Sequence, residues 1–301
     1  MGPRHTHVSG RTWLSLVRAV ATLAATVPGA VTADPAVWRM THDNGAEVTL
    51  LGSMHVLRAS DYPLPASVDG LIDRSEQIVM ELDMDDVDAA AQQRVILKTA
   101  LLPQGTVLAN VVDARVYTQV QQSAAQLGLD LKLLERFEPW FLAITLLDQG
   151  LRQWGFQAER GLEQYVVGRA QRTGTEIVGL ETLEFQIGIF DSLPPQSQQA
   201  MLEQTLSELD EAETALRAMV EAWRDGELES LSAELLDDFE DFPGLYDTLV
   251  LTRNRSWVPA LERMLADGQR HLVVVGALHL VGDDSVIELL RARGHAVERL
   301  H

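Results

Sequence analysis

The sequence predicts an α/β protein with a mixed, largely parallel central sheet, flanking helices and a large helical insertion or lid. Three observations carry this expectation. Apolar runs of strand length lie near both ends of the chain, "EVTLLGSMH" and "RHLVVVGALHL" among them. Amphipathic patterns with three- and four-residue spacing fill the middle, and each terminal run closes on Gly-x-x-His, first at Gly52 to His55 and again at Gly276 to His279.

The chain has 301 residues, 46% of them hydrophobic, enough for an ample core. Residues 1–33 carry Arg4, Arg11 and Arg18 and no acid, then an apolar segment from Ala19 to Val31 and a small-residue ending at Ala33. That pattern reads as a cleavable secretory signal. The apolar segment is shorter than the roughly 18 to 20 residues of a membrane span, and it contains Pro28 and Gly29, which argues against a retained anchor. The expected mature chain is residues 34–301, a single exported domain, periplasmic or extracellular. Losing three arginines takes the formal net charge from −20 to −23. So acidic a chain is a poor partner for nucleic acid or an anionic membrane surface. No later stretch has the length and apolarity of an integral span. There is no cysteine, so disulfides, thiolate chemistry and thiolate metal ligands are excluded.

Taken in order, "AVWRMTHDNGAEVTLLGSMH" holds two strand-like runs around Asp43-Asn44-Gly45, a hairpin signal, and the second run delivers His55 to its carboxyl end. A loop with Pro63 and Pro65 follows, then helical spacing at Val68, Leu71 and Ile72, then the apolar run "IVMELDM". The middle, roughly residues 110–260, reads as helical. Breaks fall near Gly128 and Pro139, and a strand-like "TEIVGLE" and Pro194-Pro195 precede an acidic amphipathic segment. In that segment Leu202, Leu206, Leu209, Leu216, Val220 and Trp223 form one stripe, and its acids form a solvated face rather than a calcium site. "RHLVVVGALHL" is a buried strand, Ser285 is a ready N-cap, "VIELLRARG" is a helix closed by Gly294, and "HAVERL" is a short last strand.

Strand carboxyl ends are where open α/β sheets place their sites, and His55 and His279 both project there. A glycine at the strand end lets the backbone turn or approach a ligand closely. Neutral imidazoles suit Mn²⁺, Zn²⁺ or Co²⁺, and Glu81, ending the next apolar strand, can add carboxylate oxygen. Such a set leaves open positions for water and substrate, and the metal would acidify that water. Glu181 follows another strand-like run and is a candidate ligand or general base, or a carboxylate at a helix N-terminus. Arg253 and Asn254 are candidates for binding a substrate carboxylate or an oxyanion. His42 and His271 read as exposed or structural, and Trp140, Trp223 and Trp257 as packing. Ser53 lacks a nucleophile-elbow context, and no phosphate-cradling loop occurs.

The paired Gly-x-x-His motifs, with "EPWFLAITL", "GLETLEFQIGIFDSLP", "WRDGELESL", "LTRNRSWVPALERML" and "VVVGALHLVGDDSVIELLRARGHAVERL", resemble the TraB/GumN family, whose superfamily includes PrgY and the Tiki proteases. The resemblance runs from about Val37 to Leu300. It implies an α/β core related to erythromycin esterase and the haem-binding ChaN proteins. Tiki members are metal-dependent peptidases in which the two motif histidines and an early glutamate are implicated. The expectation is thus an exported metal-dependent hydrolase, peptidase-like, acting on a peptide or small-molecule substrate. His55, Glu81 and His279 are its metal or catalytic centre, Glu181 and Arg253 secondary members, and the ion is Mn, Co or Zn. Two alternatives stand beside it: a metal-free esterase-like acid/base hydrolase, and a non-enzymatic binder of metal, haem or peptide. The sequence does not address the oligomeric state.

Overall fold

A computed structural model describes residues 34–84, 89–236 and 243–300. The leader expected at 1–33 lies outside the described residues. The described strands are β1 (Val37–Thr41), β2 (Glu47–Ser53), β3 (Gln77–Leu82), β4 (Glu176–Glu181), β5 (Arg270–Gly276) and β6 (Glu298–Arg299). They form one sheet in the order β4-β3-β5-β2-β1-β6. Four of them, β4, β3, β5 and β2, run parallel, while β1 is antiparallel to both β2 and β6. The mixed, largely parallel α/β sheet expected from the sequence is therefore the fold.

The predicted hairpin joins β1 to β2 through Asp43-Asn44-Gly45. The central strands are apolar on both sides because helices cover both faces. Along β5, Leu272 and Val274 pack with Leu51, Ile78 and Met80 on one face, against Val68 and Leu71 of helix Ala66–Arg74 and Val166 of helix Leu162–Thr173. Val273 and Val275 pack on the other with Val48, Leu50 and Val79, against Leu261 of helix Thr252–Ala266 and Ile287 of helix Val286–Ala292. Burial of each such side chain stabilises the fold by about 2 kcal/mol.

The helical layer has its own core. Val116 and Val120 of helix Ala114–Gln126, Leu142 and Leu146 of helix Pro139–Gln153, and Leu202 of helix Pro195–Glu208 form a third cluster away from the sheet. The predicted acidic stretch is not one helix but a series that includes Pro195–Glu208 and Ala212–Arg224, and β4 splits the helices into blocks before and after it. Its stripe does anchor it to the strands: Trp223, 3% exposed, donates its indole N–H to the Gly52 carbonyl at 2.8 Å. No described helix is long and apolar enough to cross a membrane.

Candidate active site at the carboxyl edge of the sheet

Parallel register brings four strand ends to one edge. Ser53 of β2 faces Gly276 of β5, Met80 of β3 faces Val274, and Leu82 of β3 faces Glu181 of β4. His55, Glu81, Glu181 and His279 therefore gather where the sequence placed them. The two motif glycines explain how. A β-carbon on Gly52 would lie 3.0 Å from Ala277 Cα, and one on Gly276 would lie 3.2 Å from His55 Nε2 and 3.3 Å from Glu81 Oε1. Each glycine makes room for the opposite motif, so the two motifs interlock.

His55 faces a pocket of about 310 Å³ that is also lined by Glu81, Glu163, Gln164, Gln186, Met80 and Met84. Its Nδ1 lies 2.5 Å from Glu163 Oε1, and Ser53 donates its hydroxyl to the same oxygen at 2.5 Å. Glu163 stands in the first turn of helix Leu162–Thr173, where the dipole favours a carboxylate. That helix starts against the motif itself, since Leu162 N–H donates to the Met54 carbonyl at 3.0 Å. The Glu163 charge is the chief cause that raises the His55 imidazole to about 9, against the opposing effect of desolvation. The His55 side chain nonetheless keeps 66% of its surface open to solvent, whereas Glu163 keeps 18%. At neutral pH the pair is an imidazolium beside a carboxylate, with Nδ1–H held by Glu163.

Behind the pocket lies a covered network centred on Arg253, in the first turn of helix Thr252–Ala266. Its Nε and NH2 donate to Glu181, NH2 donates to Glu81 Oε2 at 2.5 Å, and NH1 donates to the Leu249 carbonyl and to His279 Nε2, the latter at 3.1 Å. An arginine only donates, so His279 accepts at Nε2 and carries its proton at Nδ1, which donates to Asn254 Oδ1 at 2.6 Å. Asn254 in turn donates to the Asp284 carbonyl. Burial, helped by Arg253 and opposed by Glu81, pushes His279 down to about 3, so it is neutral. Burial also works against ionised Glu81, but its neighbours His279, His55 and Arg253 and the Gly276 N–H bring it down to about 2. With His279 neutral, His55 and Arg253 supply the positive charge. Gly276 N–H donates to Glu81 Oε1 at 2.8 Å, Gln186 donates to both Glu81 and Glu181, and the Trp257 indole donates to Glu181 Oε1.

All six expected residues thus converge, in two ranks. His55 and Glu81 line the pocket, while His279, Glu181, Arg253 and Asn254 stand behind them. Arg253 and Asn254 are buried, and every Arg253 N–H is taken by the protein. Arg253 is therefore not free to receive a substrate carboxylate, and it orders the carboxylates instead. Glu181 ends β4, paired with Arg253, and directly precedes Thr182, the N-cap of helix Leu183–Asp191, so its strand-end and helix-terminus readings coincide. Glu163 and Gln186 had no signal in the sequence beyond helical spacing. His271 is structural as expected, buried with Nε2 on Asp267, and His42 is exposed.

The three expected metal ligands do not fit an ion as they stand. His279 Nε2, which lies 3.9 Å from Glu81 Oε1, has its lone pair turned to Arg253. A divalent ion there would meet a guanidinium charge at close range. Among the described residues, no group of three or more His, Asp or Glu side chains is disposed to hold a metal.

A mixed α/β sheet with paired Gly-x-x-His motifs at its carboxyl edge defines a family: the profile of the TraB/PrgY/gumN family matches residues 36–299, and the chain belongs to it. It is similar to "Uncharacterized protein YbaP" of Escherichia coli (strain K12), 26% identical over 278 residues, which cover 92% of this chain and 100% of the relative. The protein of the same name from Shigella flexneri is 26% identical over 242 residues, 80% of this chain and 87% of the relative. No solved structure matches.

Proposed function

We propose that this protein is an exported hydrolase of peptide-like substrates in which His55 is the reacting base. One observation carries the reading: His55 Nε2 and Glu81 Oε1 both stand beside the bare Gly276, 3.2 and 3.3 Å from the place a β-carbon would take. A water held there would lie within hydrogen-bond reach of both. Neutral His55 takes a proton from that water at Nε2 as the oxygen attacks the scissile carbonyl, then returns it to the leaving nitrogen. Glu163 holds the imidazole by Nδ1 and stabilises the imidazolium that forms, the role a buried carboxylate has in a catalytic triad. Glu81, fixed by Gly276 N–H, Gln186 and Arg253, orients the water. Met80 and Met84 offer apolar surface for a substrate side chain, and the export rests on the leader pattern in residues 1–33.

A metal-assisted form is the second reading, because a carboxylate-backed imidazole is also how metal-binding histidines are held. The test is hydrolysis of a peptide library and simple esters by purified protein, before and after exhaustive chelation, with His55→Ala alongside. Turnover that survives chelation and disappears in His55→Ala supports the proposal. Turnover restored only by Mn²⁺, Co²⁺ or Zn²⁺ installs the metal-assisted form. Saturable uptake of a peptide or haem with no turnover makes the protein a binder and overturns both.

A further inference from the structure

The two motifs, Gly52-Ser53-Met54-His55 and Gly276-Ala277-Leu278-His279, differ in polarity at one place, where the first carries a hydroxyl and the second a methyl group. Ser53 is the last residue of β2 and 2% exposed, so a substrate does not reach it. Its Oγ donates to Glu163 Oε1 at 2.5 Å, the same oxygen that His55 Nδ1 meets at 2.5 Å. Among the described residues, these two are the only other residues bonded to that carboxylate. They are unequal partners. The His55 ring keeps 66% of its surface in solvent, whereas Ser53 is fixed within the sheet, paired with Gly276 of β5. The backbone of Glu163 is set by how its helix starts: Leu162 N–H donates to the Met54 carbonyl, and a β-carbon on Gly161 would collide with the His55 carbonyl, so glycine lets the helix begin this close. That fixes where Glu163 is attached and leaves its side-chain torsions to be decided by what the carboxylate meets. The one buried group it meets is the Ser53 hydroxyl.

We infer that Ser53 is the positioning residue of this centre: its hydroxyl holds the Glu163 carboxylate in the orientation that grips Nδ1 of His55, a hold for which the second motif, with Ala277, has no hydroxyl. His55 also feels Glu81 from β3, Arg253 from helix Thr252–Ala266 and the neighbouring His279, but among the described residues only Glu163 is bonded to its ring. The Tyr62 phenol, which the Glu163 charge also reaches, is turned to the Arg160 carbonyl. Without Ser53 the carboxylate would be held by a solvated imidazole alone and would turn toward water, where its charge is better hydrated. The ring would then lose the partner that keeps a proton on Nδ1 and leaves Nε2 to act as base. The inference rests on the hydrolase reading only for that role of His55. Its first readout is the His55 titration, which needs no substrate, so a failure to find turnover would leave it standing, and an unmoved titration would leave the hydrolase reading standing.

The experiment follows the His55 ring by NMR against pH in the purified protein, with hydrolysis rates measured alongside. Ser53→Ala should bring the His55 midpoint from about 9 to about 8 or below, toward the ordinary 6.5. The rise of turnover with pH should move down with it, and the plateau rate should fall about tenfold as the imidazole loses its orientation. Ser53→Thr, which keeps the hydroxyl, should restore both. In a Glu163→Gln background Ser53→Ala should move the midpoint no further, because the hydroxyl acts through that carboxylate. A midpoint that stays at its wild-type value in Ser53→Ala overturns the inference, since Glu163 then keeps its place unaided. A midpoint that rises overturns it too, since the hydroxyl then only weakens the carboxylate it bonds. A further fall in the Glu163→Gln background, or a folded Ser53→Thr protein that behaves as the alanine variant, has the same force. The alanine titration and the double variant decide the matter by themselves, should the extra methyl of threonine not fit.

Discussion

The two Gly-x-x-His motifs are nearly the same in sequence and opposite in physics. His55 is two-thirds exposed, paired with one carboxylate and raised to about 9. His279 is 5% exposed, bonded on both ring nitrogens and pushed down to about 3. One imidazole is charged and reachable at neutral pH, and the other is neutral and fixed. The difference teaches that repetition of a motif sets where the backbone goes, while the neighbours decide what the side chain does.

The largest effect that tests this contrast is a pair of alanine variants. His55→Ala should lower kcat about a thousandfold with little change in stability, because its ring is mostly solvated. His279→Ala should instead destabilise the fold by about 3 kcal/mol, measured by urea unfolding, since it strands an Arg253 N–H and the Asn254 amide oxygen. Similar behaviour of the two variants would break the comparison.

Next come the glycines. Gly276→Ala drives a methyl against His55 Nε2 and Glu81 Oε1 and should cost about a hundredfold in kcat with a nearly unchanged melting curve. Gly52→Ala meets backbone at Ala277 Cα, 3.0 Å away, and should destabilise by about 2 kcal/mol. A Gly276→Ala protein with full turnover would place the reacting water elsewhere.

Glu163→Gln sharpens the contrast further. Without the carboxylate the His55 titration, followed by NMR, should drop from about 9 toward the ordinary 6.5. If His55 is the base, as proposed, wild-type turnover should climb with pH until about 9, where the imidazole loses its proton, and the variant should level off earlier. An unmoved titration would mean that Glu163 does not hold His55 in solution.

The smallest effect is on stability against pH, and its two signs oppose. The His55–Glu163 pair has its full contribution below the unfolded value of 6.5 and loses it as pH rises through about 9. Solvent around His55 keeps that contribution small. His279, neutral in the fold, favours the native state above 6.5 and loses that contribution as pH falls toward about 3. Urea midpoints measured across this range should fall on both sides in wild type, and the alkaline fall should flatten in Glu163→Gln.

Much of this was legible because strands announce themselves. β2, β3 and β5 are apolar runs that end at or just before the site residues, so His55, Glu81 and His279 fall at one edge of the sheet on the sequence alone. Arg253 and Asn254 were legible as a pair but not in role, because only the packed structure shows that every guanidinium N–H is spoken for. Glu163 was not legible at all. It lies on a helix more than 100 residues beyond His55, in a sequence with ordinary amphipathic spacing, and one carboxylate among 44 acidic residues carries no mark. The acidic stretch likewise showed a stripe, but not that Trp223 at its end grips the Gly52 carbonyl.

The parallel pairing of β2, residues 47–53, with β5, residues 270–276, has a consequence for timing. A ribosome releases His55, Glu81 and Glu163 long before it makes the strand that lies between β2 and β3. Until Gly276 is synthesised, Glu81 lacks its backbone donor and His55 lacks the glycine it stands beside. The site is complete only with the last tenth or so of the chain, and fragments that end before Arg270 should lack it however well their helices form.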